Sequence, residues 1–158
     1  MSDIGDDVTR LLYREARLMD QHAYEEWLGL WADELLYWVP ANRDDVDPAR
    51  EVSIIYADRA QLEFRIKRLC SGAAWAQDPP SRLCRTISNI ELDPKEEDGL
   101  LSVHSVFHLV ELRHHRQRTV AGRAHHRLRH ADDALRIAYK KIELVDNDEV
   151  IDSLTFLI

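Results

Sequence analysis

The sequence predicts an α+β domain in which a strongly curved, mostly antiparallel sheet wraps around N-terminal helices. Three observations carry that prediction: apolar residues recur at helical spacing through the first third, strand-like segments separated by turn signals fill the last third, and no 20–50-residue repeat or βαβ alternation intervenes. A length of 158 residues suits one domain, so residues 1–158 are read as a single unit.

In VTRLLYREARLMDQ, Val8, Leu11, Leu12, Leu18 and Met19 make one apolar stripe, with Arg10, Arg14, Glu15 and Arg17 mostly outside it. Tyr24, Trp27, Leu28 and Trp31 follow at i, i+3, i+4 and i+7, the spacing of a second helix with large rings on one buried face. Asp33 and Glu34 break that pattern before the strand-like LLYWV, which Pro40 closes because proline has no N–H for a sheet ladder. Residues 41–50 read as a loop and VSIIY as a strand. Asp58 and Gln61 have the spacing of a helix cap and its partner, Leu62, Ile66 and Leu69 supply a third stripe, and Gly72 can end it. WAQDPPS is a loop, LCRTISNIEL is rich in β-branched residues, and PKEEDG is a turn. The strands LLSVHSVFHLVELR, TVAGRAHHRLRH and ALRIAYKKIELV complete a meander before a last segment, VIDSLTFLI. In the last of these strands Arg136, Lys140 and Glu143 interleave with Ile137, Tyr139 and Ile142, as where one sheet face is wet.

Composition excludes several functions. With 21 Lys+Arg against 29 Asp+Glu, the chain lacks the positive field of a general nucleic-acid or anionic-membrane binder. Two cysteines, Cys70 and Cys84, are too few for a disulfide framework and suit a reducing cytoplasm. The acidic start MSDIGDDVTR is unlike a signal peptide, and nowhere do 18 apolar residues run together, so no membrane association is expected.

His104 and His108 have the i, i+4 spacing of a helical zinc site, but Val103, Val106, Phe107 and Val110 argue for a strand. There, four residues span about 13 Å, too far to share one ion. Asp20, Asp33 and Asp58 could each pair with a histidine for acid–base work, yet helix caps and termini explain them better. No GxSxG elbow or phosphate-binding glycine loop occurs. Between Arg113 and His130 lie six arginines and five histidines without one acidic residue, and the rest of the chain then holds 15 basic against 29 acidic residues. Arginines on such strands can recognise carboxylates of a protein partner; nucleic acid comes second, since no aromatic residue interleaves them for base stacking, and a solvated sheet face balanced by the chain's own Asp and Glu is the equal alternative.

The order of these segments resembles the small, β subunit of Rieske-type aromatic-ring-hydroxylating dioxygenases. LLYREARLMDQHAYEEWLGLWADELLYWVPA, with Tyr13, Glu15, Ala16, Asp20, Trp27, Leu28, Asp33, Tyr37 and Pro40, is similar to the family's opening block. SIIYADRAQLEFRIKRL resembles its next strand and helix, and RTISNIEL its stretch around Arg85, Ser88 and Asn89. Gly122, Arg123, Leu128, Arg129, Ile137, Lys141, Ile142, Leu144, Asp146 and TFLI resemble the last strands, so the likeness covers nearly the whole chain.

That resemblance implies a cone-shaped fold of the nuclear-transport-factor-2-like, cystatin-like type. It also implies a larger α subunit as partner, three of each, with β–β contacts in a trimer. In such an assembly the α subunit carries the Rieske [2Fe-2S] cluster and the mononuclear non-heme iron, while this chain has no cofactor, no metal and no catalytic residue. The assembled enzyme would add both atoms of dioxygen to an aromatic ring, or in some relatives hydroxylate it, with electrons from NADH; the short chain and the opening block resemble benzoate-type members slightly more than the biphenyl or naphthalene type, although the α subunit usually sets the substrate pocket. Arg123, Arg127 and Arg129 are the candidates for polar contacts with the partner, and Trp27, Trp31 and Trp38 for packing that supports them. The competing readings are a free-standing dehydratase or isomerase of the same fold and a small-ligand-binding protein.

Overall fold

The computed structural model of the chain describes residues 3–41, 53–71, 80–146 and 156–158. Asp3 opens helix α1 (Ile4–Asp20): its carboxylate accepts the Gly5 N–H, and Asp6 and Asp7 sit in the first turn, at the positive end of the helix dipole. The predicted stripe is buried, and Glu15 is buried with it, against the sequence expectation. Helix α2 is only Tyr24–Leu28, capped at Gly29, so Trp31 opens strand β1 (Trp31–Pro40) instead of closing the helix. The aromatic cluster survives this change, because Trp27, Trp31 and Tyr37 meet edge to face with centroids 5.4–5.9 Å apart. Asp33 and Glu34 do not interrupt the chain direction either. They lie inside β1, exposed, where its register against its neighbour shifts between Trp31 and Leu36.

Strand β2 (Ser53–Ala57) leads into helix α3 (Arg59–Cys70), which begins with the predicted reciprocal cap between Asp58 and Gln61. Then come β3 (Arg82–Leu92), β4 (Leu100–Arg113), β5 (Arg116–Ala131) and β6 (Ala134–Leu144). The predicted loop over 42–50, Gly72, the loop residues 75–79 and most of VIDSLTFLI lie outside the described residues. Phe156, Leu157 and Ile158 are described, buried and not in a strand.

The six strands form one open sheet in the order β2-β1-β6-β5-β4-β3. β3 to β6 form the antiparallel meander; residues 93–99 connect β3 to β4, and two-residue turns at His114-His115 and Asp132-Asp133, all four with positive φ, connect β4 to β5 and β5 to β6. β1 is parallel to β6 and antiparallel to β2, so the sheet is mixed. α1 packs on β3 and reaches β6, and α3 lies against β1 and β2. Between helices and sheet sit Leu12, Met19, Trp27, Tyr37, Leu62, Leu109, Leu128, Ile137 and Ile142, all almost fully enclosed.

One irregularity sets the phase of β6. Ile137 pairs with Leu128 and Tyr139 with Arg127, which leaves Ala138 as an extra residue. Beyond it the inward positions become Lys140, Ile142 and Leu144, and Tyr139, Lys141 and Glu143 take the outer face. Lys140 therefore points into the core, where simple alternation from Arg136 placed it in water. A second tight point is Gly122, opposite Leu144: a Cβ there would come within 2.4 Å of the Glu143 carbonyl oxygen.

Gly122→Ala should consequently push β5 off β6, with a loss of about 2 kcal/mol or more in urea unfolding. Ala121→Gly, one position away, should lose about 1 kcal/mol or less.

Candidate functional site

The inner face of the sheet carries a cluster of charge. Glu15 from α1, His126 from β5 and Lys140 from β6 are 3%, 3% and 4% exposed. Lys140 Nζ donates to Glu15 Oε1 at 2.5 Å, His126 Nε2 lies 2.8 Å from Oε2, and Trp27 Nε1 donates to Oε1 at 3.4 Å. Burial alone would raise the Glu15 pKa, but the charge of Lys140 and the charge and hydrogen bond of His126 overcome it and hold the carboxyl well below the usual carboxylate range. Burial lowers the Lys140 pKa, and Glu15 opposes that fall. Lys140 Nζ also lies 5.7 Å from the centroid of the Tyr37 ring.

The same interior anchors the 156–158 segment. The Tyr37 hydroxyl donates to the Ile158 carbonyl and accepts the Ile158 N–H, and burial raises the Tyr37 pKa. Arg85 on β3 reaches Asp20 on α1 through its backbone N–H (3.0 Å) and its Nε (2.7 Å), and its Nη2 donates to the Leu157 carbonyl at 3.4 Å. Asp20 is thus a partner of arginine, Asp58 is a cap, and Asp33 is exposed on β1, so none of the three meets a histidine as an acid–base pair. Just before β3, Ser81 donates to Glu111 at 2.6 Å, Glu111 pairs with Arg118, and His22 Nε2 binds the Ser81 carbonyl at 2.7 Å.

Glu15, His126 and Lys140 have the residue types of an acid–base site, but the space beside them does not suit a substrate. The cavity lined by Glu15, Arg85, Ser105, His126 and Lys140 holds about 20 Å³. Ligand pockets run to several hundred Å³. The cluster was missed from sequence although its signal is present. Glu15 falls in phase with Val8, Leu12 and Met19 on α1, and His126 alternates with Ala124 and Leu128 at inward positions of β5.

The outer face carries the predicted basic residues. Arg123, His125, Arg127 and Arg129 occupy successive outward positions of β5, Arg123 and Arg129 being exposed and Arg127 half-buried. His125 stacks on His104 at 4.4 Å and meets Tyr139 edge-on at 5.6 Å. Burial first, then the charges of His104, His126 and Arg127, push the His125 pKa down to about 4. His104 lies 3.4 Å from Asp93. His108 is one further exposed residue on the same face of β4, and among the described residues no three His, Cys, Asp or Glu side chains come together as a metal site.

The tryptophans are placed differently from the arginines. Trp27 and Trp31 lie inside the domain, so they can brace a surface but not form one. Trp38 is on the outer side of β1, donates to Ser53 at 3.0 Å, and carries Lys141 Nζ at 4.6 Å from its ring centroid; Tyr56 beside it is exposed.

These couplings set the acid response. Both the Glu15 and the His125 pKa are lower in the folded chain than their ordinary values of 4.5 and 6.5, so the unfolded chain binds more protons as pH falls. Urea unfolding should show stability declining from about pH 6.5 towards 4 through His125, and further below about pH 4.5 through Glu15. His125→Gln should remove the upper part of that decline. Lys140→Ala, which strands a buried carboxylate, should lower stability at neutral pH by about 3–5 kcal/mol.

Comparison with known proteins agrees with this architecture. Residues 14–152 match the family model described as ring hydroxylating beta subunit. The chain is 32% identical over 157 residues to the 2-halobenzoate 1,2-dioxygenase small subunit of Burkholderia cepacia, covering 92% of each chain. It superposes on the β subunit of benzoate 1,2-dioxygenase from Burkholderia mallei with a TM-score of 0.79 at 27% identity, over 99% of both chains. An NTF2-like protein with a cystatin-like fold from Novosphingobium aromaticivorans shares the fold at a TM-score of 0.63 and 15% identity, over 89% of this chain and 81% of that one. A match spanning most of the chain, from α1 to beyond β6, means that this protein belongs to the ring-hydroxylating β-subunit family.

Proposed function

We propose that the chain is the structural small subunit of a multicomponent aromatic-ring dioxygenase, assembled with a larger iron-bearing α subunit as three of each in the cytoplasm. The observation that carries this reading is the family match over residues 14–152, and the cavity beside Glu15, His126 and Lys140 holds only about 20 Å³. The chemistry, insertion of dioxygen into an aromatic ring with electrons from NADH, belongs to the Rieske cluster and mononuclear iron of the α subunit. The relatives named for 2-halobenzoate and benzoate support a benzoate-like substrate for the assembled enzyme.

In this reading Arg123, Arg127 and Arg129 form the polar part of the α contact. They share one face of β5, Arg127 Nη2 reaching the Glu97 carbonyl at 3.5 Å, and their planar donors suit carboxylates on a partner. Tyr56 adds exposed aromatic surface at the β2 edge of that face with Trp38 packed edge-on beside it under Lys141, while Trp27 and Trp31 stiffen β1 from beneath.

Co-expression with the α subunit tests both levels. The native pair should purify together in equal amounts, with all iron on the larger chain and ring dihydroxylation dependent on both. Arg127→Glu with Arg129→Glu should lower complex yield about ten-fold or more while the isolated small subunit keeps its melting temperature. Unchanged yield would remove these arginines from the interface, and turnover by the small chain alone would favour the free-standing enzyme.

A further inference from the structure

We propose that the interior cavity beside Glu15, Lys140 and His126 is a binding site for one ordered water molecule, held by His126 Nδ1 and the Ser105 hydroxyl. Two independent observations meet there. His126 Nδ1 is buried and has no hydrogen-bond partner among the described residues, and the residue lines a cavity of about 20 Å³. One water needs about 10–15 Å³ of such space, whereas a cavity that admits benzene holds about 150 Å³, so the volume selects water over an organic ligand.

The hydrogen bonds around the ring fix its orientation. Glu15, held ionised by Lys140, accepts from Lys140 and Trp27 at Oε1 and from His126 at Oε2, so the His126 Nε2 carries a proton. Turning the ring over would set a carbon against Oε2 and forfeit that bond. Nδ1 is therefore held on the side away from Glu15, where a buried polar atom without a partner is destabilising. Water serves it in either protonation state, because it can donate to a bare nitrogen and accept from a protonated one. Ser105, 4% exposed on β4, lines the same cavity and offers the second polar contact that a buried water requires. Trp31 Nε1 is the other unpartnered buried nitrogen among the described residues, but Trp31 does not line this cavity, so the space is specific to His126.

The bound water joins β4 to the ion cluster of α1, β5 and β6, so that Ser105 becomes a positioning residue for His126. A high-resolution crystal structure of the chain, alone or with its α subunit, should show one isolated density peak about 2.7–3.2 Å from His126 Nδ1 and within the same range of Ser105 Oγ. In solution, a rotating-frame Overhauser cross-peak should connect water to the His126 ring. Ser105→Val, which removes the hydroxyl and fills the space, should abolish peak and cross-peak and lower the melting temperature by about 3 °C, with the circular dichroism of the native fold retained. A native crystal with no density at Nδ1, a ring turned so that Nδ1 meets another protein atom, or an organic molecule in the cavity would each overturn the assignment. Should Ser105→Val fail to fold, the native peak and cross-peak decide the matter alone.

Discussion

The ion cluster of Glu15, Lys140 and His126 is the constraint around which the remaining structure is arranged. It takes one residue from the first helix and one from each of the two central strands, so it can exist only when α1 lies across the sheet in one position. Buried ion pairs of this kind contribute little net stability against an apolar core, but a single unpaired member is expensive. Slipping β6 by one residue would turn Lys140 to the outside and leave the Glu15 carboxylate alone, which makes the wrong register far less stable than the right one. Ala138 is what permits the right one, since without the extra residue Ile137 and Lys140 could not both face inward.

The two faces of the sheet then divide the work. The inner face is packed with aromatic and aliphatic side chains and tied by the Tyr37 bonds to Ile158 and the Arg85 bridge to Asp20, and the cavity beside its ion cluster holds about 20 Å³. The outer face is polar, with arginines in line along β5 and stacked imidazoles between them and the lysine that covers Trp38.

Much of this was legible in the sequence. The α1 stripe, the Asp58 cap and the β3 to β6 meander follow from local spacing, and the family resemblance follows from segments that lie on these same elements. The failures share a cause. Trp31 looked helical because the i+7 spacing continues past Gly29, where the chain has already turned; its ring still reaches the Trp27 cluster, so burial was right while the element was wrong. Lys140 looked exposed because period-two counting assumes an unbroken strand, and Ala138 shifts the count. Glu15 looked exposed because its charge outweighed its position in the stripe, and its compensation comes from residues 111 and 125 positions away, beyond any local pattern. For the basic stretch, alternation along β5 separates Arg123, Arg127 and Arg129 from His126, but composition alone does not reveal that division.

The Asp20 link to β3 also bears on what happens when the chain is made without a partner. β3 is an edge of the sheet, eleven residues long, and such a strand offers unpaired backbone groups to any extended polypeptide nearby. Asp20 occupies the Arg85 N–H near the start of that edge and draws the arginine side chain towards α1, so a foreign strand meets a carboxylate where it would need a free donor. The bridge thereby works against amyloid-like stacking and precipitation during synthesis, in the interval before a newly made subunit is captured.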